Sequence, residues 1–471
     1  MIDNIKLANY KSFFADQVKE AIDEQQKINR SQMRNLFKTG ELSLAYVDSI
    51  QHETGMIILK CPRRMAPRLK VLKGVCIIKK GAKQALGEHV TEWICRWDEF
   101  VDNKDFHSSG SDMTPMYYVH TGDSNYDYVA CSGFSFKLYD ILSKALVDGK
   151  SLSLIVHNPF PPVEYFRNLA SYMDAFSSND ELNLEPTIDY EEWTPEELAF
   201  DEQKPTGISD TIIDTLANEH CCIVQGPPGT GKSYTIASVI SSYLDAGKTV
   251  CVTTMANKGL IELIKQKPLQ KYVKEGRVSK TNLSIDERKQ VSGVKAASAD
   301  LQVPGGEMLC ATNYQLSSVF SEKKMTLYGL PQYDLVVIEE ASQAFLTAIV
   351  AFKQLGIDCL IVGDPMQLPP IVKLNNPQYN SWNVATQVEG LKSMVLGTSI
   401  KSYRIVTTFR LTSRSASLTK CFYGNRFVSV KQDYLDFTKA NSVLFPQDGG
   451  VLYHCTLDVR NGVYSDKADA I

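Results

Sequence analysis

Apolar residues recur at helical spacing near the start of the chain. Phe14, Val18 and Ile22 lie four positions apart, with charged residues between them. Neither Gly nor Pro interrupts the chain from about residue 10 to residue 37, and Gly40 follows as a stop signal. This pattern predicts a long amphipathic helix.

The pattern then changes to short runs of β-branched and aromatic residues, which Gly, Pro, Asn or Asp separate. The runs are Leu42 to Val47, Met56 to Leu59, Val75 to Ile78, Trp93 to Trp97 and Tyr117 to Val119. They predict a small β-barrel or compact sheet in residues 41–160. Its aromatic side chains either form its core or stack on nucleic-acid bases.

A second amphipathic helix is predicted after this region. Phe166, Leu169, Met173 and Phe176 recur at helical spacing. Packed against the first helix, it would form a stalk for the β-rich region. The acidic segment 177–197 that follows has few apolar residues and is typical of a connector.

Continuous apolar runs alternate with helical patterns in the rest of the chain. The runs are Cys221 to Val224, Thr249 to Thr253, Leu335 to Ile338 and Cys359 to Val362. Strands that are apolar on both faces, separated by helices, predict the parallel sheet of a doubly wound α/β domain.

Composition and charge remove several classes of protein. The balance of 50 Lys and Arg against 54 Asp and Glu gives a net charge of −4, so nucleic-acid binding has to be argued from local sites. The 11 cysteines include no C-x-x-C pair, which disfavours a disulfide scaffold or a zinc ribbon. No apolar run reaches the roughly 18 residues of a membrane span, and the start does not resemble a signal peptide. A cytoplasmic location without membrane contact is expected.

A phosphate-binding loop is the strongest chemical motif. Its residues fit the pattern G-x-x-x-x-G-K-[ST], between an apolar strand and a helical segment. Glycines let backbone N–H groups surround phosphate oxygens, while Lys232 would neutralise the β- and γ-phosphates and Ser233 would bind Mg²⁺. The residues expected to bind ATP here are Gly226, Pro227, Pro228, Gly229, Thr230, Gly231, Lys232, Ser233 and Tyr234.

Two adjacent carboxylates end the apolar run at Ile338. Glu339 is expected to bind Mg²⁺, through water, and Glu340 to polarise the attacking water. Neighbouring carboxylates repel one another unless a cation lies between them, which favours the metal site over two solvated acids.

Several ordered motifs across residues 200–430 resemble those of superfamily 1B helicases, the branch of the nonsense-mediated-decay RNA helicase and its DNA-acting relatives. After the P-loop, the acidic motif and the glutamine motif are Glu339-Glu340-Ala341-Ser342-Gln343 and Gly363-Asp364-Pro365-Met366-Gln367-Leu368-Pro369-Pro370. Motifs Ia, Ic and IV resemble Thr253 to Lys258, Ala311 to Leu316, and Thr407 to Arg410 followed by Phe422-Tyr423-Gly424. Where the family most often has Asp-Glu, this chain has Glu339-Glu340.

The resemblance implies roles for further residues. Gln367 would sense the γ-phosphate and Arg410, from a second RecA-like domain, would act as an arginine finger. Gln203 is similar to the glutamine that reads adenine, or is an ordinary connector residue. The residues implied to hold the nucleic-acid backbone are Thr254, Asn257, Lys258, Thr312 and Asn313. The lysines and arginines between residues 265 and 289 either follow the strand or form a solvated surface.

The resemblance also implies a domain organisation, with RecA-like P-loop domains behind an inserted β-barrel on helical stalks. The expected parts are a stalk helix at 1–40, the barrel at 41–160, a second stalk helix and connector at 161–199, the first RecA-like domain at 200–395 and a partial second one at 396–471. Patterns for motifs V and VI are not found after Arg410. We therefore expect a fragment of a longer polypeptide that binds ATP, hydrolyses it slowly and does not unwind.

The expected function is that of an ATP-dependent helicase or translocase on single-stranded DNA or RNA, with ATP and Mg²⁺ as cofactors and a possible protein partner on the barrel. The alternative is an ATP-gated clamp or sensor that binds nucleic acid without processive unwinding. A P-loop kinase is disfavoured by the motifs after the P-loop.

Overall fold

The computed structural model describes most of the chain between residues 193 and 431 and parts of the chain before it. The described residues are 4–32, 34–35, 43–51, 53, 56–62, 71–72, 75–78, 114–119, 125–131, 140, 143–144, 153–156, 163–185, 193–283, 285–298, 300–321, 330–372 and 384–431. The predicted strand at Trp93 to Trp97 lies outside them.

The first part contains two helices and seven described strands. They are α1 (Asn4–Arg30), β1 (Ser43–Gln51), β2 (Met56–Pro62), β3 (Val71–Leu72), β4 (Val75–Ile78), β5 (Thr114–Val119), β6 (Tyr126–Cys131), β7 (Ser153–Val156) and α2 (Glu164–Ala175). The strands pair antiparallel in the order β3-β5-β6-β2-β1-β7-β4. Closure of this sheet into a barrel stays a prediction.

Helix α1 spans Asn4–Arg30, within the segment 1–40 predicted as a stalk helix. Helix α1 lies against α2, where the rings of Phe14 and Phe166 are 6.1 Å apart. Phe14 also meets Phe345 edge-on at 5.5 Å, so aromatic packing fixes this helix pair to the rest of the molecule.

The second part is built on a sheet of nine described strands, all paired in parallel. They are β8 (Glu196–Leu198), β9 (Cys221–Gln225), β10 (Val250–Thr254), β11 (Val278–Lys280), β12 (Lys295–Ala296), β13 (Met308–Thr312), β14 (Tyr333–Ile338), β15 (Gly356–Gly363) and β16 (Ser402–Ile405). Their order is β12-β11-β13-β10-β14-β15-β9-β16-β8. The central strands are buried along nearly their whole length, which confirms the predicted parallel α/β sheet.

The helices of this part connect or follow these strands. They are α3 (Gly207–Glu219), α4 (Lys232–Asp245), α5 (Asn257–Ile264), α6 (Gln270–Lys274), α7 (Ile285–Gln290), α8 (Asn313–Leu316), α9 (Leu346–Lys353), α10 (Ala385–Val388), α11 (Gly390–Gly397), α12 (Ser413–Leu418) and α13 (Lys420–Tyr423). A two-stranded parallel pair, β17 (Thr407–Thr408) and β18 (Val428–Ser429), follows β16. No helix in the described part of the chain is long and apolar enough to cross a membrane.

Two strands of the large sheet lie beyond the predicted bounds of the first RecA-like domain. Strand β8 falls inside the predicted connector, yet it pairs with β16 at the edge of the large sheet. Strand β16 falls inside the predicted second RecA-like domain, yet it pairs with the P-loop strand β9 through Tyr403 and Val224. The segment that leads to Arg410 therefore belongs to the same sheet as the P-loop.

Candidate nucleotide and nucleic-acid site

The motif residues gather at one edge of the large sheet. Because its strands are parallel, their carboxyl ends meet at this edge, where ligands of α/β proteins bind. Strand β9 runs into the P-loop, β14 into Glu339 and β15 into Asp364. The N–H of Gly226 donates to the carbonyl oxygen of Gly363 over 3.0 Å, which joins the P-loop to the end of β15.

The P-loop turns directly into a helix. Gly231 precedes α4 with a φ of 78°, a left-handed conformation that favours glycine. The Lys232 ammonium donates to the carbonyl oxygens of Gly226 and, over 3.3 Å, of Pro227. Burial lowers the pKa of Lys232, an effect that neighbouring carboxylates, led by Asp364, oppose. A half-buried cation at a helix N-terminus suits a phosphate group.

Arg410 lies on the outer side of the same loop. The hydroxyl of Thr408 donates to the carbonyl oxygen of Pro228 over 3.1 Å, and the N–H of Phe409 donates to that of Gly229 over 2.8 Å. A Cβ atom on Gly229 would stand 2.3 Å from the Cβ of Arg410, so only glycine permits this approach. The structure thus brings Arg410 beside the P-loop, from a segment that follows β16 and β17.

The two carboxylates after β14 have different surroundings. Glu339 is buried, accepts a hydrogen bond from Ser233 Oγ over 3.2 Å, and has no hydrogen-bond partner for Oε2 among the described residues. Burial, together with the Glu340 carboxylate, raises the pKa of Glu339 to about 7. Glu340 has a left-handed φ of 53° and accepts from Thr254 Oγ1 over 3.5 Å. One carboxylate faces the P-loop serine, and the other faces the end of β10.

Asp364 links the glutamine motif to the last described helices. It accepts hydrogen bonds from the hydroxyl of Tyr423 at 3.0 Å and from the side-chain amide of Gln367 at 3.4 Å. Burial raises the pKa of Asp364. Gln367 itself is exposed. The sequence interpretation gave Asp364 and Tyr423 no role, although both lie within its quoted motifs.

A cavity of about 640 Å³ opens beside the P-loop, within the roughly 300 to 1,000 Å³ of small-molecule sites. Its walls are formed by Phe200, Pro205, Ile208, Ser209, Gly229, Thr230, Gly231, Lys232, Ser233, Tyr234, Thr235, Ser238, Gln266, Phe409 and Arg410. The rings of Phe200 and Phe409 meet edge-on at 5.0 Å. Sequence reasoning missed this pair, whose only signal is an aromatic residue directly before Asp201 and another before Arg410.

Gln203, the residue suggested to read adenine, is not among the described residues that form this cavity. It is exposed, and its N–H donates to the Asp201 side chain over 2.9 Å in a local turn. The structure does not bring it to the P-loop.

The residues implied to hold nucleic acid lie at the carboxyl ends of adjacent strands, where Thr254 pairs with Thr312. Both threonines and Asn313 are buried, and Asn313 Oδ1 accepts from Thr253 Oγ1 over 2.7 Å. Their side chains stabilise the edge of the sheet. Asn257 and Lys258 are exposed at the start of α5. The prediction of side-chain contacts with a strand therefore fits these two residues better than the three buried ones.

The basic segment after α5 is largely engaged within the protein. Lys271 pairs with Asp245 at 2.7 Å, and Arg277 donates to the carbonyl oxygens of Gly306 and Leu244, both over 2.8 Å. Lys280 is fully buried. These three residues serve the fold, whereas Lys267, Lys274 and Arg288 are exposed, and a track for phosphates along the segment stays a prediction.

Comparison with known proteins agrees with this geometry. Residues 209–373 match the AAA domain family, a segment that contains the P-loop, both carboxylates and Gln367. The chain is 29% identical over 245 residues to the DNA replication ATP-dependent helicase/nuclease dna2 of Schizosaccharomyces pombe, a match covering 48% of this chain and 16% of that protein. This part of the chain is therefore similar to an AAA domain and to a segment of that helicase/nuclease.

A second relative is the DNA replication ATP-dependent helicase/nuclease DNA2 of Saccharomyces cerevisiae, which is 26% identical over 207 residues. That match covers 41% of this chain and 12% of the yeast protein, so the chain spans less than a fifth of the length of either relative. Among solved structures, the Arterivirus nonstructural protein 10 helicase with DNA is 14% identical, with a TM-score of 0.29 over 48% of this chain and 45% of the viral one. That structural likeness is too weak to support an argument.

Proposed function

We propose that the chain carries the ATPase site of an ATP-dependent helicase or translocase on single-stranded nucleic acid. The observation that carries the proposal is the meeting of Lys232 and Arg410 on two sides of one P-loop, beside a cavity that suits a nucleotide. Two cations around a phosphate cradle stabilise charge that spreads over the transferred phosphoryl group.

Mg²⁺ fits the pair Ser233 and Glu339. A hydroxyl and a carboxylate are oxygen ligands of the kind that Mg²⁺ prefers, and the buried Oε2 of Glu339 has no hydrogen-bond partner among the described residues. When bound with ATP, the ion neutralises phosphate charge and orients the triphosphate. A nearby cation would also offset the repulsion between Glu339 and Glu340.

The chain's own side chains divide the remaining work. Glu340 accepts the proton of the attacking water, and Arg410 stabilises the charge that develops on the γ-phosphate. Gln367, held near the P-loop through Asp364, senses whether that phosphate is present. In this assignment Phe200 and Phe409 offer an aromatic surface to the adenine base of ATP in the same cavity.

Glu340 also connects the site of hydrolysis with the site of the nucleic-acid strand. Its carboxylate accepts a hydrogen bond from Thr254, the last residue of strand β10, which precedes Asn257 and Lys258. A change at the γ-phosphate would therefore reach the nucleic-acid edge through one carboxylate. A nucleotide-gated clamp would need the same link, so the motor and the clamp have to be separated by experiment.

Among the possible strands, we favour DNA, and among the branches of superfamily 1, the DNA-acting relatives of the nonsense-mediated-decay helicase. The two fungal relatives are named as DNA replication helicase/nucleases, which supports this choice. Phosphate contacts alone would not distinguish DNA from RNA.

Strand-stimulated ATP turnover tests the proposal for this chain, and a strand-displacement assay tests it for a polypeptide that also carries motifs V and VI. A motor unwinds a tailed DNA duplex in proportion to the ATP that it hydrolyses. A change of strand affinity with nucleotide, but with no strand displacement and no strand-stimulated turnover, would instead support the clamp. Replacing the DNA tail by RNA tests the choice of strand.

A further inference from the structure

Lys280 is a fully buried lysine at the carboxyl end of β11, close to the edge that carries Asn257 and Lys258. Its ammonium group donates to the side-chain oxygen of Asn257 over 2.6 Å and to the carbonyl oxygen of Thr281 over 3.1 Å. Glu287 forms an ion pair with it at 3.2 Å. A buried charge is tolerated when it is paired and hydrogen-bonded, as this one is.

The contact with Asn257 fixes which way that carboxamide faces. A lysine ammonium has only donors, so the group of Asn257 that meets it has to be the oxygen. The amino group of the same carboxamide then faces away from Lys280. Among the described residues, none accepts a hydrogen bond from this amino group, and Asn257 is exposed.

We propose that Lys280 is a positioning residue that turns the amino group of Asn257 outward, where it donates to a backbone phosphate of the bound strand. The ligand chemistry is that of a phosphodiester, which accepts hydrogen bonds and donates none. If the carboxamide were reversed, its oxygen would face the phosphate and repel it. This inference rests on the proposed function, because it assumes that the strand crosses this edge.

Lys280 is also connected, through its neighbour Thr281, to the segment where β13 ends and α8 begins. Thr281, its neighbour, donates through its hydroxyl to the side-chain oxygen of Gln315. That oxygen also accepts from the N–H of Thr312 over 3.3 Å, as part of a capping box at the start of α8. Residues from three strand ends thus share one hydrogen-bonded network, which gives the amide of Asn257 a fixed place relative to Thr312.

The test is binding of a fluorescein-labelled oligo(dT) strand by Asn257→Asp and Asn257→Ala, with ATP affinity measured in parallel. The aspartate keeps an oxygen for Lys280 but replaces the outward donor by a second acceptor. We expect Asn257→Ala to weaken strand binding about tenfold, and Asn257→Asp to weaken it more, with ATP affinity unchanged. Asn218→Asp, which adds the same charge near the end of α3, is the matched control and should bind normally.

A double-mutant cycle tests the role of Lys280. Lys280→Met alone should weaken strand binding by about the same factor as Asn257→Ala, and the double variant should be no weaker than either single one. Strand affinity of Asn257→Asp equal to the unmutated protein would overturn the inference, as would effects that multiply in the double variant. If Lys280→Met does not fold, the comparison of the two Asn257 variants still decides.

Lys258→Ala separates this inference from the proposed function. If Lys258→Ala binds the strand more weakly while both Asn257 variants bind it normally, the role of Asn257 is overturned and the proposed function is not. Normal binding by all three variants would show that the strand does not cross this edge, and would contradict the proposed site as well.

Discussion

The carboxyl ends of the sheet strands carry two regions, a nucleotide end at the P-loop and a nucleic-acid end near Asn257, and the two regions differ in how far their polar residues are exposed. At the nucleotide end, Lys232, Ser233 and Arg410 line a cavity. At the nucleic-acid end, Thr254 and Asn313 are buried and bond to neighbouring side chains, which leaves Asn257 and Lys258 exposed. The nucleotide end therefore presents several side chains to its ligand. The nucleic-acid end presents only Asn257 and Lys258, on a surface that the buried polar groups stabilise.

This difference follows from the ligands that we assign to the two ends. A triphosphate bound for hydrolysis needs charge placed around one reacting atom, and preorganised side chains supply it. A strand that must slide needs contacts that are repeated, weak and independent of sequence. Substitutions at the two ends should accordingly separate nucleotide chemistry from strand affinity.

The largest expected effect is at the P-loop. Lys232→Ala removes the cation that the loop holds for the β- and γ-phosphates, so ATP turnover should fall to the level of a protein-free blank. A radiometric phosphate-release assay measures it. Lys248→Ala is the control, since Lys248 lies beyond the other end of α4, over the ring of Tyr243. Turnover by Lys232→Ala close to that of the unmutated chain would contradict the P-loop assignment.

The two carboxylates should separate binding from chemistry. Glu340→Gln should lower turnover by about 10² to 10⁴ while Mg²⁺-dependent ATP binding persists, because the amide keeps the shape but not the base. Glu339→Gln should weaken the Mg²⁺-dependent part of ATP binding. Titration with a fluorescent ATP analogue, with and without Mg²⁺, distinguishes the two variants. Loss of ATP affinity in Glu340→Gln would make Glu340 the metal ligand instead.

The contact between Gly229 and Arg410 can be tested with a matched pair of glycines. Gly229 and Gly247 have positive φ angles of 78° and 74°, so alanine at either position should cost about 1 kcal/mol of stability. Only at Gly229 would the new Cβ meet Arg410, at 2.3 Å. We expect thermal denaturation to show a larger loss for Gly229→Ala, because its Cβ also collides with Arg410, and turnover to fall only in that variant. Equal turnover in both variants would show that the approach of Arg410 is unimportant.

The smallest effect is expected at Lys258. Its replacement by alanine should reduce the slope of log affinity for oligo(dT) against log salt concentration by about one, because one phosphate contact is lost. ATP affinity should be unchanged. A fluorescence-anisotropy titration at several salt concentrations measures the slope, and an unchanged slope would remove Lys258 from the strand site.

The candidate residues of the nucleotide end could be found from the sequence because they lie in short, continuous motifs. Lys232 and Ser233 lie in one continuous loop, and Glu339 ends a strand whose apolar pattern is plain. The place of Arg410 was harder to predict. Its position depends on β16 pairing with β9, strands that lie far apart in the sequence, and no local pattern reports that pairing.

The nucleic-acid end was less predictable for two physical reasons. Burial of a polar side chain depends on what packs over it, so Lys280 was assigned to a basic surface although it is fully buried. A motif position also does not say whether the side chain or the backbone makes the contact, as at Thr312. Gln203 is a separate case, because it lies in a local turn with Asp201 and is exposed, while Phe200 and Pro205 on either side of it line the cavity.

The measurement that tests the central claim most directly is ATP turnover with and without single-stranded oligo(dT), with Glu340→Gln as the blank. The account places nucleotide and strand on one sheet edge, joined through Glu340 and Thr254. It therefore predicts turnover above the blank that rises as the strand saturates. Turnover that is independent of the strand, at concentrations where anisotropy shows the strand bound, would contradict it.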